Sequence, residues 1–167
     1  MRIRRKIKLK KTDLAYAAGI IDGEGCIGLY LNTNAKRKAT YQIRVSVHNT
    51  NEWLIQWLKF AFGGYFYGMN YSSVRARNWK AQWQWVIAAN KALGFLELIH
   101  PYLRLKKPQA EIAIKFQKVR RGQGHHMTDE EHAIAEAQRI LMGNLNKRGA
   151  VKINKEMKFY GTTGESL

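Results

Sequence analysis

The sequence predicts an α+β fold: an antiparallel sheet with helices over one face. Three observations carry that reading. Two pairs of segments alternate apolar and polar residues with a period of two, and segments with helical spacing precede, separate and follow them. No low-complexity tract or Pro-rich linker divides the 167 residues, whose only prolines are Pro101 and Pro108. The order is helix, two strands, helix, two strands, then helices, and each sheet face divides into a core side and a solvent side.

Taken in order, residues 1–11 are a basic arm, residues 12–149 one domain and residues 150–167 a tail. Thr12 and Asp13 supply an N-cap and a first-turn acid for a helix reaching about Asp22, which Gly23 and Gly25 end. In CIGLYLN, Ile27, Leu29 and Leu31 face inward while Tyr30 and Asn32 face outward. In YQIRVSVHN, Tyr41, Ile43, Val45 and Val47 share one face, and Gln42, Arg44, Ser46 and His48 the other. The polar NTNAKRKAT joins these strands as a long hairpin loop. TNEWLIQWLKFAFGG is an amphipathic helix capped near Thr50 and stopped by Gly63 and Gly64. YFYGMNY and AQWQWVIAA form a second hairpin through SSVRARNWK, with Trp83, Trp85 and Ile87 alternating with Gln82 and Gln84. Helices follow at 91–99, at 108–119, and from the capping box Thr128-Asp129-Glu130-Glu131 to about residue 148.

Charge narrows the partners. The chain has 29 Lys and Arg against 12 Asp and Glu, a net charge of +17, so a polyanion is expected and nucleic acid comes first. The longest apolar run, 14–21, covers about two helical turns, too short to span a membrane. The start is basic but lacks the apolar stretch of a secretory signal, and it lacks the Ser of a transit peptide. Cys26, the only cysteine, excludes an internal disulfide and a Cys-based zinc site, and fits a soluble protein in a reducing, intracellular setting. His125 and His126 lack a third ligand at zinc spacing, and GQGHH lacks the terminal Gly-Lys-Ser/Thr of a phosphate-binding loop.

The outward strand positions carry Tyr30, Asn32, Gln42, Arg44, Ser46, His48, Lys80, Gln82 and Gln84, with Arg75 and Arg77 in the turn, and no acid. Arg, Gln and Asn match base edges in the major groove, which a β ribbon can enter. A strand of about eight residues, roughly 26 Å, covers about eight base pairs. An ordinary solvated face is the alternative, but such a face usually mixes both signs.

On a helical wheel Ala15, Ala18, Gly19 and Asp22 fall on one side of the first helix, and Leu14, Tyr16, Ile20 and Ile21 on the other. Small residues at that spacing let two helices approach closely; the alternative is a helix packed under its own sheet. The acidic sequel, Asp22-Gly23-Glu24-Gly25, reads as a turn or as a functional pair of carboxylates, and it fails the calcium-loop pattern.

AAGIIDGEG resembles the signature of the LAGLIDADG homing endonucleases, with Gly19, Asp22 and Gly25 in register and Glu24 at the second acidic position. TNEWLIQWLKFAFGG, HPYLRLKKPQAEI and LNKRG resemble further segments of that family, as does the αββαββα order. The chain has one copy of the motif, so the resemblance implies a homodimer with Ala15, Ala18, Gly19 and Asp22 in the interface and Glu24 from each subunit in the active site. Two carboxylates brought together repel unless a cation sits between them, and hard oxygen ligands select Mg²⁺, with Mn²⁺ able to substitute. The resemblance implies the Gly23 carbonyl as a backbone ligand and leaves Asp22 to hold the helix end. It places the family's active-site lysine at Lys106, or at Lys107 if the register slips. It puts apolar Val47 at a position where relatives organise water, so His48, Asn49 and Asn51 are the candidates for that role.

These expectations amount to a homodimeric, metal-dependent, site-specific double-strand DNA endonuclease, associated with an intron or intein and cutting a long pseudo-palindrome. The alternatives are a maturase that binds its own intron RNA and a non-cleaving DNA-binding regulator. A carboxylate and a lysine together favour cleavage, because a pure binder gains nothing from an acid beside phosphates.

Overall fold

The computed structural model describes residues 8–34, 37–69, 81–120 and 127–147. Most of the N-terminal arm, the second hairpin turn with Arg75, Arg77 and Lys80, the loop with His125 and His126, and the tail lie outside the described residues.

The elements are α1 (Lys11–Glu24), β1 (Gly25–Asn34), β2 (Arg37–Asn49), α2 (Glu52–Phe62), β3 (Tyr65–Met69), β4 (Gln82–Ala88), α3 (Ala89–Ile99), a 3₁₀ turn (His100–Tyr102), α4 (Lys107–Val119) and α5 (Asp129–Leu145). The predicted α+β class and element order are those observed. One four-stranded sheet runs β1-β2-β4-β3, antiparallel throughout.

The first helix starts earlier and ends later than its sequence suggests. Lys10, not Thr12, is the cap, because the Asp13 carboxylate accepts from the Lys10 N–H at 2.8 Å. The helix continues through Gly23 to Glu24, and Gly25 turns the chain into an extended conformation (φ −79°, ψ 158°). A side chain at Gly25 would place its Cβ 2.7 Å from the Ile21 Cα, so the start of β1 presses directly on the last turn of α1.

NTNAKRKAT is not a long loop. The β1–β2 ladder continues from Gly25↔Val47 out to Asn34↔Arg37, with one irregularity between Asn32 and Asn34. An antiparallel ribbon is held by backbone bonds, so where it outruns the core its sequence turns polar while its pairing persists.

The covered face carries Ile27, Leu29, Tyr41, Ile43, Val45, Val47, Trp85 and Ile87, all buried against α1, α2, α3, α4 and α5. Two expectations fail. Leu31, on an edge strand, is 40% exposed, whereas Ser46 is only 5% exposed because its short side chain sits between its strand partners Cys26 and Val86. At the far end of β2, Asn51 rather than Thr50 caps α2, accepting from the Leu54 N–H at 3.2 Å. Gly63 and Gly64 end α2 at φ 77° and 89°. A Cβ at Gly64 would lie 2.5 Å from the Val86 carbonyl oxygen, so that turn admits only glycine. It also brings the Gly63 carbonyl to buried Trp85, whose Nε1 donates to it at 2.7 Å. The capping box of α5 forms as read, with Glu131 N–H to Thr128 Oγ1 at 3.2 Å and Thr128 N–H to Glu131 Oε2 at 2.8 Å.

Candidate active site and nucleic-acid interface

The two acids at the end of α1 have opposite fates. Asp22 accepts three backbone N–H groups from the segment ahead of α4: Arg104 at 2.7 Å, Leu105 at 3.2 Å and Lys106 at 2.9 Å. It is a staple between two parts of the chain more than eighty residues apart. Glu24 is exposed, and it makes no hydrogen bond or ion pair among the described residues. Between them Gly23 is open, with nothing within 4 Å of where a Cβ would stand.

Lys106 completes this corner. Its Nζ donates to the carbonyls of Ile21 at 2.9 Å and Asp22 at 2.8 Å, the C-terminal turn of α1 where the helix presents unsatisfied oxygens and the negative end of its dipole. Burial pushes the Lys106 ammonium below its ordinary value, with Asp22, Cys26 and Glu24 pulling the other way. The distant PYLRLKKPQ segment thus arrives at the motif through five hydrogen bonds: three amides to the Asp22 carboxylate, and one ammonium to two helix carbonyls.

Of the water-organising candidates, His48 is exposed on the open sheet face opposite Gln84, one residue beyond the last β1–β2 pair at Gly25↔Val47. Asn49 is occupied locally: its Oδ1 accepts from the Asn51 N–H at 2.8 Å, and Asn51 in turn caps α2. Val47 is fully buried. Among the described residues no group of three or more His, Cys, Asp or Glu is placed to hold a metal ion.

The open face of the sheet carries Tyr30 and Asn32 from β1, Gln42, Arg44 and His48 from β2, and Gln82 and Gln84 from β4. Every Asp and Glu among the described residues lies in a helix, so none interrupts that face. Sequence reading missed two members. Tyr65 and Tyr67 on the edge strand β3 stand opposite Val86 and Gln84, exposed and stacked at 6.3 Å. Their alternation in YFY was visible, but only the β3–β4 register assigns them to this face.

Of the four residues assigned to a helix–helix interface, Ala15 and Gly19 are exposed, and a Cβ at Gly19 would meet nothing within 4 Å. Ala18 is fully buried in the chain's own core, and Asp22 is turned to residues 104–106. The open stripe therefore runs Thr12, Ala15, Gly19, Gly23 and not through Ala18. A helix that rests on its own sheet offers only its outer side to anything else.

No protein-family model matches the sequence, and no curated protein is significantly similar to it. Solved structures are similar in fold. The homing endonuclease I-CvuI, in complex with the I-CreI target in the presence of Mg, superposes with a TM-score of 0.66 at 18% identity, covering 82% of this chain and 83% of that one. The archaeal intron-encoded homing endonuclease I-Vdi141I complexed with DNA gives 0.65 at 14%, covering 83% and 86%. The meganuclease I-SmaMI, bound to uncleaveable DNA, gives 0.63 at 16%, covering 81% of this chain but 45% of that one. A structure described as a LAGLIDADG homing endonuclease, I-GzeII in complex with its DNA target, gives 0.52 at 18%. On superpositions that cover about four fifths of its length, the chain has the LAGLIDADG homing endonuclease fold.

Proposed function

We propose that this protein is a site-specific, metal-dependent DNA endonuclease that works as a homodimer. One observation carries the reading: of two acids separated by one glycine, the fold consumes Asp22 and leaves Glu24 free, among the described residues, at an exposed helix end to which it has brought Lys106. A free carboxylate in a chain of net charge +17 is a costly ornament for a protein that only grips phosphates.

Two copies joined through Ala15, Gly19 and Gly23 would bring two Glu24 side chains together. A single copy lacks a full set of metal ligands among its described residues, and a hard divalent cation fits what it does offer: the Glu24 carboxylate and the Gly23 carbonyl. When bound, such a cation supplies charge stabilisation of the scissile phosphate and activation of water. The chain's residues do the rest. Asp22 fixes the segment that delivers Lys106, and Lys106 holds a positive charge at the helix end, where it can neutralise charge developing on the phosphoryl group. His48, exposed one residue beyond the Gly25↔Val47 pair, would orient water, and the acid-free sheet face lies along the duplex and selects its sequence. Double-stranded DNA is the substrate, and Mg²⁺ the metal, with Mn²⁺ able to replace it. Intron or intein association accounts for such an enzyme.

Glu24→Gln tests this directly. Cleavage of a selected duplex in Mg²⁺ should fall by about 10²-fold or more, while metal-free binding, read by gel shift, changes little. Undiminished cutting by the variant would overturn the assignment. Absence of cutting by the wild-type protein on every duplex it binds would favour the regulator instead. Lys106→Ala should slow cleavage more than it weakens binding, because its contacts are to the helix end and not to the sheet face.

A further inference from the structure

The side chains on the open face are not independent. Arg44 stands opposite Gly28 in the β1–β2 ladder, and Tyr30 stands opposite Gln42, so Arg44 and Tyr30 are diagonal neighbours. The Arg44 guanidinium lies over the Tyr30 ring, 4.8 Å from its centroid. The ring itself does not project outward. It folds back along its own strand across Gly28, where a Cβ would come within 2.6 Å of the ring, and its hydroxyl reaches toward the Cys26 sulfur at 3.9 Å. Glycine at 28 is what lets the tyrosine lie flat.

Arg44 makes no hydrogen bond or ion pair among the described residues. Its five N–H groups are therefore available while its plane is held, the condition for bidentate recognition by a rigid fork. In the next diagonal couple along the ribbon, by contrast, the Asn32 Nδ2 donates to the Gln42 Oε1 at 3.5 Å, a long and adaptable contact.

We infer that Arg44, held on Tyr30 above Gly28, reads a guanine in each half-site, and that Tyr30 is a positioning residue that contacts no base itself. Arg pairs with guanine O6 and N7 in the major groove, whereas a tyrosine lying flat over glycine presents its ring to the arginine and not to the DNA. The inference rests on the DNA-binding reading above and adds to it a base identity and a division of labour. Freezing the guanidinium in advance removes part of the ordering cost of binding, so the stacked ring sharpens selectivity without adding a contact.

The test is selection from a randomised duplex library without divalent metal, followed by sequencing, for wild type, Arg44→Gln, Tyr30→Leu and Tyr30→Phe. Wild type should enrich a symmetric pair of guanines. Arg44→Gln should lose that preference by roughly tenfold or more at that position alone, moving toward adenine. Tyr30→Leu should blunt the same guanine by about threefold, and Tyr30→Phe, which keeps the ring, should restore it. A tyrosine that merely supported the fold would instead lower enrichment at all positions together. Enrichment by wild type with an unchanged motif in Arg44→Gln overturns this inference alone. So does a Tyr30→Leu motif identical to wild type, with thermal unfolding showing both variants folded. Failure of wild type to enrich any duplex overturns the DNA-binding reading, and this inference with it.

Discussion

The two faces of the sheet are made by the same strands and differ in what happens to a polar atom. On the covered face the two buried polar side chains are spent within the chain: the Tyr41 hydroxyl donates to Glu136 at 2.9 Å, and the Trp85 indole donates to the Gly63 carbonyl at 2.7 Å. On the open face Asn32 reaches Gln42 across the strands and the Arg44 guanidinium rests on the Tyr30 ring. Burial explains the contrast. Under a second layer an unpaired polar group costs free energy, and the fold supplies Tyr41 and Trp85 with their partners. In solvent, water satisfies it until something else does. A face rich in unspent donors and free of acids is one that an external polyanion can complete.

The sharpest way to break that comparison is to place the same charge on each face. Val45→Asp buries an uncompensated carboxylate under the helices, which should cost about 4 kcal/mol or more and leave the protein largely unfolded in a urea titration. Gln84→Glu, on β4 but facing the other way, should change stability by no more than about 0.5 kcal/mol while weakening DNA binding through repulsion of phosphates. Equal destabilisation by the two would mean that the faces are not what they are taken to be.

A smaller effect measures how much of the open face meets DNA. If a dimer neutralises about ten phosphates, the logarithm of the binding constant should fall against the logarithm of salt concentration with a slope near −9. A slope near −1 would remove the sheet from the interface.

The sequence disclosed the covered face well and the open face only in part, for a physical reason. Burial imposes a two-residue period on Ile27, Leu29, Ile43, Val45 and Val47, and a period can be read locally. What lies beyond it is set by register and by distant chain. Ser46 is buried by neighbours on two other strands, and Tyr65 and Tyr67 join the open face through pairing with β4. Tyr30, expected to project outward, lies flat because Gly28 permits it and Arg44 holds it. At the base of α1 the acid pattern marked the helix end to which residues 104–106 return. The burial of Ala18 and the three amides gathered by Asp22 depend on α1 resting on its own core and on residues 104–106 returning to it.

The least effect comes from the far end of the covered face, where α5 is clamped to β2. Glu136 accepts from the Tyr41 hydroxyl and from Arg139, through Nε at 2.8 Å and through a terminal nitrogen at 2.6 Å. The Arg139 and Tyr41 hydrogen bonds pull its carboxyl down from 4.5 to about 2. A carboxylate more acidic in the folded state stabilises it at pH values above 4.5 and loses that contribution as pH falls through about 2, because the unfolded chain takes up the proton first. Wild type should therefore be more stable than Glu136→Gln at pH 6, and the gap should close between pH 4.5 and 2. The group lies at the surface, so the gap at pH 6 should be small and should shrink further with added salt. Urea midpoints at a series of pH values would show it. A gap that persisted unchanged at pH 2 would mean that Glu136 acts by packing and not by charge, and that this edge of the covered face is held by apolar contact like the rest.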